Sequence, residues 1–284
     1  MLLNGFGLKC VHAKVLGGER MAKPLLDDEL WAMSEPLLPQ PKTRRKRFPG
    51  RKPIPNRQAW TGILFVLKTG IPWEYLPQEL GCGSGMTCWR CLREGMRRVF
   101  GNGFMNIYWR NSVKLIKLIG HALSSIALRC APCVGEKTGP NPTDRAKAGS
   151  KHHIIADAQG IPLVTRLTSA NTNDVTQLIP LVETIPPVGG KPGRPRRRPK
   201  RVQGDRGYDS EAHRQTLRKC GITPVIAKRN TPHGSGLGVH RWVVERTVAW
   251  LPQYRRLRIR YERRPEIHEA FLSLGCILIC SWFV

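Results

Sequence analysis

The sequence predicts an α/β protein in which a mixed five-stranded sheet is flanked by helices and preceded by a small helical domain. Three observations support this fold class. Three helical patterns lie between Asp27 and Val99. From Lys151 onward, apolar runs of strand length alternate with helical patterns, and glycine-rich turns separate them. The chain has 284 residues and 40% hydrophobic content, enough for one large domain or two modest ones.

Three helices are predicted before residue 100. The first spans Asp27 to Leu38, and its N-cap is one of its first two residues. The second spans Asn56 to Lys68, with Asn56 as N-cap and Gly70 just past its end. The third spans Thr87 to Val99. A helix, a turn and an arginine-rich helix are compatible with a helix-turn-helix. The arginines of the third helix are Arg90, Arg93, Arg97 and Arg98.

The second half predicts the sheet. Lys151 to Asp157 and Pro162 to Thr168 read as two strands joined by a turn, which together form a hairpin. Asp157 is assigned to that turn and Asp174 to a helix N-cap, so neither acid needs a catalytic role. The remaining predicted elements are a helix from Asp174 to about Glu183, a strand at Arg201–Gly204, a helix at Glu211–Cys220, a strand at Thr223–Ala227, a helix carrying Glu245, and a buried C-terminal helix at Ala270–Val284.

The charge of the chain predicts a polyanionic partner. The formal net charge is +27 and the pI is about 10.5. Nucleic acid is the commonest such partner, and an anionic membrane is the competing one. No apolar run reaches the roughly 18–20 residues needed to cross a bilayer. Nothing resembles a secretory signal either. We therefore expect a DNA-binding protein of the cytoplasm that associates with the nucleoid, not with a membrane.

Three basic segments carry much of this charge. Seven of the eleven residues from Lys42 to Lys52 are cationic, as are seven of eleven from Lys191 to Arg201. Tyr254 to Arg264 is the third. The first could be a solvated linker or a phosphate-contacting arm, and we favour the arm. The second is predicted to contact phosphates as an exposed loop, and the third adds to the charge available for DNA binding. Gly193–Pro195 also resembles the core of an AT-hook. The candidate DNA-binding residues of the first two segments are Arg44, Arg45, Lys46, Arg47, Arg51, Lys52, Arg194, Arg196, Arg197 and Arg198.

The nine cysteines are too sparse for a disulfide scaffold. Cys88 and Cys91 form one CxxC pair, and Cys130 and Cys133 form another, which invites a tetrahedral zinc site. However, the first pair falls inside a helical pattern and the second lies about forty residues away. We therefore favour buried free thiols.

Two carboxylates stand out for their placement. Asp205 ends a predicted strand, with Gly207 just behind it, and strand ends next to glycine turns are where α/β sheets present chemistry. Glu245 follows 40 residues later on a predicted helix. Arginines surround both acids, so surface salt bridges are the alternative explanation. Oxygen ligands from separate elements suit Mg²⁺ or Mn²⁺.

Four motifs resemble the bacterial insertion-sequence transposases with an Asp-Asp-Glu (DDE) site. They are GEKTGPNPTDR from Gly135, SANTNDV from Ser169, GDRGYDS from Gly204 and RWVVERTVAW from Arg241. The resemblance implies an RNase H-like catalytic domain, two divalent metal ions, and cutting and joining of transposon ends. It makes Asp205 the second acidic ligand and Glu245 the third. Double-stranded DNA is the implied partner, namely terminal inverted repeats and target, bound by a homodimer or higher oligomer.

Three arginines flank these acids: Arg206, Arg241 and Arg246. They either bind phosphate or form structural salt bridges. The predicted organisation is a non-native or disordered extension at 1–20, a helical DNA-end-binding domain at 21–100, a connector at 101–125 and an RNase H-like domain at 126–284.

The first carboxylate of the resembled family is missing. No Asp or Glu occurs between Glu94 and Glu136, and Leu123 stands before Ser124 and Ser125 where an Asp is expected. The stretch looks like a short segment read in a shifted frame. Glu136 or Asp144 could substitute only if the following loop folded back over the sheet. We therefore expect impaired catalysis with surviving DNA binding. The alternatives are an inactive DNA-binding remnant and an RNase H-like nuclease or resolvase.

Overall fold

The computed structural model describes residues 24–38, 47, 52–95, 121–130, 135–187, 198–230 and 238–283. For residues 37, 121–130, 238–242 and 244 it describes the backbone alone. The helices are α1 (Asp28–Ser34), α2 (Asn56–Thr69), α3 (Gly85–Gly95), α4 (Leu178–Glu183), α5 (Glu211–Lys219), α6 (Gly238–Trp250) and α7 (Pro265–Ser281). The strands are β1 (His121–Cys130), β2 (Gly139–Pro140), β3 (Ala148–Ala156), β4 (Pro162–Ser169), β5 (Arg201–Gly204), β6 (Thr223–Ile226) and β7 (Ile259–Arg260).

The N-terminal helical region is confirmed, with corrections at the helix ends. Asp27 caps α1 by accepting a 2.7 Å hydrogen bond from the Leu30 N–H. The N-cap of α2 is Pro55 and not Asn56, which is the first residue of the helix. Gly70 ends the helix with φ at 75°. The connection from α2 to α3 contains two 3₁₀ turns. It is longer than the three or four residues of a compact helix-turn-helix.

The described strands form one mixed sheet. Its five longer strands run in the order β4-β3-β1-β5-β6. β1, β5 and β6 are parallel, whereas β3 is antiparallel to both β1 and β4. This mixed sheet agrees with the RNase H-like fold that the sequence predicts. The number five was too low, since β2 pairs with β3 and β7 pairs with β1. Two residues are too few for the apolar alternation that reveals a strand.

Strand β1 corrects the predicted domain boundary. It begins at His121, inside the stretch assigned to a connector, and runs past residue 126. Its antiparallel register with β3 extends from Ala122 opposite Ala156 to Arg129 opposite Gly149. The stretch without acidic residues therefore supplies a central strand of the sheet.

The helical region and the sheet share one hydrophobic core. Leu64 and Leu67 of α2, Ile155 of β3 and Phe271 of α7 are all buried in it. Trp73, in the α2–α3 connection, stacks on Phe271 with ring centres 5.6 Å apart. The predicted buried C-terminal helix is confirmed as α7. Within the described ranges, no helix has the length and apolar character required to cross a bilayer.

The third basic segment is folded into the protein. Arg256 is 5% exposed and donates to the Glu262 carboxylate from Nε at 2.9 Å and from Nη2 at 2.6 Å. Its Nη1 donates to the carbonyls of Gly70 and Ile71 at the end of α2. This pair therefore fastens the C-terminal segment to the helical region.

Arg260 has a comparable structural role and is 2% exposed. Its guanidinium donates to the Oγ atoms of Thr138 and Ser150 at 3.0 and 2.8 Å. It also donates to the carbonyls of Glu136, Lys137, Glu262 and Arg263. Arg256 and Arg260 thus correct the expectation that the whole segment contacts DNA.

Candidate catalytic site

Asp205 is an exposed carboxylate at the end of β5. It is the N-cap of the 3₁₀ turn Arg206–Tyr208, and its Oδ1 accepts a 3.0 Å hydrogen bond from the Gly207 N–H. The short strand and the turn together fix the direction of the side chain. The predicted placement at a strand end next to a glycine is confirmed.

The residues around Asp205 hold this turn. Tyr208 is fully buried beneath it. Asp209 accepts from Arg214 Nη2 at 2.6 Å and from the Arg229 N–H at 2.7 Å. The Arg229 N–H and then the Arg214 guanidinium lower the pKa of Asp209. Arg229 also donates through Nε to the Arg206 carbonyl at 3.0 Å. The later motif residues therefore support the turn while Asp205 faces solvent.

Asp174 lies beside Asp205, a proximity that the sequence did not predict. A Cβ at Gly207 would lie 3.1 Å from Asp205 Oδ1 and 3.3 Å from Asp174 Oδ2, so both carboxylates border the same glycine. Asp174 also pairs with Lys151 Nζ at 2.9 Å. The sequence predicts Asp174 as a helix N-cap, but the N-cap in the structure is Asn173, whose Oδ1 accepts a hydrogen bond from the Val175 N–H. The two residues are adjacent and chemically similar, so sequence alone did not separate their roles.

Glu245 is an exposed residue of α6. The opposite side of this helix packs on the turn between β3 and β4. Thr247 Oγ1 donates to the Gly160 carbonyl at 2.6 Å, and a Cβ at Gly160 would lie 2.9 Å from the Val243 carbonyl oxygen. Arg246 also reaches the turn, with Nη1 3.4 Å from the Gln159 carbonyl. A separation of about 8 Å or less between the Asp205 and Glu245 carboxylates stays a prediction.

The missing first carboxylate now has a place in the sheet. β1 and β5 are parallel, with His121 beside Val202 and Ala122 beside Gln203. Continuing this register sets Leu123 level with Gly204, one residue before Asp205. An acid at Leu123 would therefore stand on the strand next to Asp205.

The candidate DNA-binding residues divide between described and undescribed parts of the chain. Arg47, Lys52 and Arg198 are exposed, and Arg198 Nη1 donates to the Cys220 carbonyl at 3.3 Å. Arg206 is half-buried, and Arg246 lies over the Trp250 ring at 5.6 Å. Outside the described residues are Arg44, Arg45, Lys46, Arg51, Arg194, Arg196 and Arg197, together with the side chain of Arg241.

The donor chemistry fits a divalent cation, but the set is incomplete. Asp205 and Glu245 offer carboxylate oxygens, the ligands that Mg²⁺ and Mn²⁺ prefer. Among the described side chains, no three His, Cys, Asp or Glu residues are grouped to hold a metal ion. Cys88 and Cys91 are free thiols of α3, and burial raises the pKa of Cys88 to about 12.

A family model described as a transposase DDE domain matches residues 132–280, more than half of the chain. The chain belongs to the DDE transposase family. A second model, described as a putative transposase of the IS4/5 family, matches residues 26–99. The two matches together cover the helical region and most of the sheet domain.

Two relatives come from Burkholderia cepacia. The putative transposase for insertion sequence element IS402 is 68% identical over 144 residues, which cover 51% of this chain and 68% of the relative. An uncharacterized 16.2 kDa protein of insertion element IS402 is 68% identical over 74 residues, 26% of this chain. The match spans half of that second relative.

Solved structures of the Mos1 transposase also match. The Mos1 strand transfer complex has 12% identity and a TM-score of 0.24. The Mos1 mariner paired end complex with Mn has 15% identity and a TM-score of 0.25. Each match covers 84% of this chain and 81% of the solved chain. At such scores the likeness supports no argument, so the fold assignment rests on the strand order and the family.

Proposed function

We propose that this transposase binds the ends of an insertion sequence while its strand cleavage and strand transfer are impaired. One observation supports the impairment: the central strand β1, next to Asp205, contains no acidic residue. The turn that orients Asp205 and the packing of the Glu245 helix on Gly160 are both formed. We therefore propose that the missing acid impairs the metal site and leaves DNA binding by the basic segments intact.

The reaction expected of a competent site is two successive attacks on phosphate. Water attacks the phosphodiester at the transposon end and frees a 3′ hydroxyl. In the same active site, this hydroxyl then attacks the target DNA. Two Mg²⁺ or Mn²⁺ ions, when bound, supply activation of the attacking water and charge neutralisation at the leaving oxygen. Asp205, oriented by the Gly207 N–H, and Glu245 would hold them. Arg206, Arg241 and Arg246 would bind phosphates.

Loss of one carboxylate explains the impairment physically. Two divalent cations need several negative ligands, and one of three carboxylates carries about one unit of that charge. Asp205 and Glu245 could hold one cation, with waters completing its shell, but would position a second one poorly. Misplacement of reacting groups by about 1 Å can cost on the order of 100-fold in rate.

DNA binding is proposed to survive. The ligands would be the terminal inverted repeats and the target duplex, bound by a homodimer or higher oligomer. The cations of the two basic segments 42–52 and 191–201 would contact phosphates and release counterions, so affinity should fall steeply with salt. A catalytically inactive remnant would show this binding alone, whereas a nuclease or resolvase would cut without joining ends.

The test measures cleavage and strand transfer on the element's own ends with Mg²⁺ or Mn²⁺. We expect the unmodified chain to bind these ends but to cleave them weakly. Leu123→Asp, or restoration of the reading frame, should raise cleavage by about 100-fold. Ala127→Asp is the matched control, because it adds the same carboxylate four residues further along β1. Robust cleavage by the unmodified chain that Asp205→Ala abolishes would show that another residue supplies the first ligand.

A further inference from the structure

We propose that α3 and the start of α7 form a second phosphate-binding surface for DNA, centred on Trp89. This Trp89 surface consists of Trp89, Arg90 and Arg93 of α3 together with Arg264, the N-cap of α7. It rests on the proposed function and deepens it. It would make one duplex contact both the N-terminal helical region and the C-terminal segment of the chain.

Trp89 brings the two segments together. The Arg93 guanidinium carbon lies 4.9 Å from the centre of the Trp89 ring, and that of Arg264 lies 5.7 Å from the same ring. Trp89 is half-buried and packs against the hydrophobic core. It is therefore a fixed platform, and it holds two guanidinium groups from distant parts of the sequence within reach of one ligand.

The arginines of this surface have no carboxylate partner in the part of the chain that the structure describes. Arg90, Arg93 and Arg264 form no ion pair with any described Asp or Glu. Other arginines of this protein do find acids, as Arg218 does with Glu211 at 2.9 Å. Like charges held around one ring repel each other, and a bound anion relieves that repulsion.

The geometry of the arginines favours phosphate as the anion. Guanidinium is planar, and one that lies against an aromatic ring keeps its N–H donors free at the edge of the plane. Those donors match two oxygens of a phosphate group. Arg264 is exposed and Arg93 is half-exposed, so both side chains are accessible from solvent. DNA is the partner because the chain belongs to a transposase family and carries a net charge of +27.

The salt dependence of DNA binding tests this surface. The probe is a duplex with the element's terminal inverted repeat, and affinity is measured over a range of salt concentrations. The double variant Arg93→Gln/Arg264→Gln should reduce the log–log slope by about 1.8, since each phosphate contact contributes about 0.9. The control Arg166→Gln/Arg218→Gln removes the same two charges from exposed positions on β4 and α5 and should leave the slope unchanged.

A further variant guards against a folding artefact. Arg93→Lys/Arg264→Lys keeps both charges and should retain most of the slope while losing bidentate contacts. Equal slopes in the glutamine variant and its control would overturn the proposal. The proposal would also be overturned if Arg93→Gln/Arg264→Gln lost binding to anionic lipid vesicles while its DNA affinity stayed unchanged. Failure of the unmodified chain to prefer its own ends over unrelated duplex would instead contradict the proposed function, which the difference between the two variants does not test.

Discussion

The basic segment at residues 254–264 and the two candidate carboxylates, Asp205 and Glu245, use charge in opposite ways. In the basic segment, Arg256 and Arg260 are buried and their donors are directed into the protein. Asp205 and Glu245, by contrast, are both exposed. Buried charges hold elements together, because a lost partner leaves an unpaired ion in low dielectric. Exposed charges remain accessible to metal and DNA. Sequence composition does not separate these two uses, whereas burial does.

Arg256 also belongs to a longer chain of buried polar groups. Glu262 pairs with Arg256, and its second oxygen lies 3.7 Å from His268 Nδ1. The Nε2 atoms of His268 and His152 share a 2.8 Å hydrogen bond. Burial alone would raise the pKa of Glu262, but His268 and Arg256 lower it below its ordinary value. The chain thus connects α2, the C-terminal segment, α7 and β3.

The largest effect on stability is expected from Arg260→Met. It leaves several buried carbonyls and two hydroxyls without their donor, so the free energy of unfolding should fall by about 3 kcal/mol or more. Arg255→Met is the matched control, since Arg255 is exposed in the same segment, and it should change stability by less than about 0.5 kcal/mol. Urea unfolding measures both. Equal losses would show that the burial contrast within this segment has no energetic meaning.

Acid should destabilise the protein through its buried histidines. Burial lowers the pKa of His153 to about 4, and burial also lowers the pKa of His152 well below its ordinary value. The folded state disfavours protonation of these histidines, whose pKa in the unfolded chain is about 6.5. Their contribution to the free energy of unfolding is therefore complete above about pH 6.5 and is lost as pH falls toward 4. For His153 the loss reaches about 3 kcal/mol.

The control for this acid effect compares two histidine variants. His153→Gln should flatten the decline in the free energy of unfolding between about pH 6.5 and 4. His213→Gln should not, because His213 is a half-exposed residue of α5. Denaturant unfolding at a series of pH values measures the difference. A decline of unchanged depth in His153→Gln would assign the acid sensitivity to other groups.

The smallest effect on stability is expected beside Asp205, from Gly207→Ala. The new Cβ would lie 3.1 and 3.3 Å from the Asp205 and Asp174 carboxylates, so these must shift by a few tenths of an ångström. The free energy of unfolding should change by less than about 1 kcal/mol. Mn²⁺ binding, followed by calorimetry, should weaken by about tenfold, because the groups that orient a ligand are disturbed. Unchanged Mn²⁺ affinity would argue against Asp205 as a ligand.

Several features followed from local pattern. The hairpin of β3 and β4 and the strand that delivers Asp205 matched their predicted positions closely, because alternation, turn glycines and helical periodicity are properties of short windows. The position of Asp205 at a strand end was predicted for the same reason. Strand β1 was missed because its sequence departs from the family there, and its place was set by pairing with β3 and β5.

The sequence by itself determined the fold class, the family, the excess of positive charge and the absence of an acid between Glu94 and Glu136. Only the tertiary structure decided which charges are free to act. It turned Arg256 and Arg260 inward, set Asp174 beside Gly207, and joined Arg93 to Arg264 across Trp89. These pairings unite residues from different elements, and the burial of a charge depends on everything packed around it. No window of sequence contains that information.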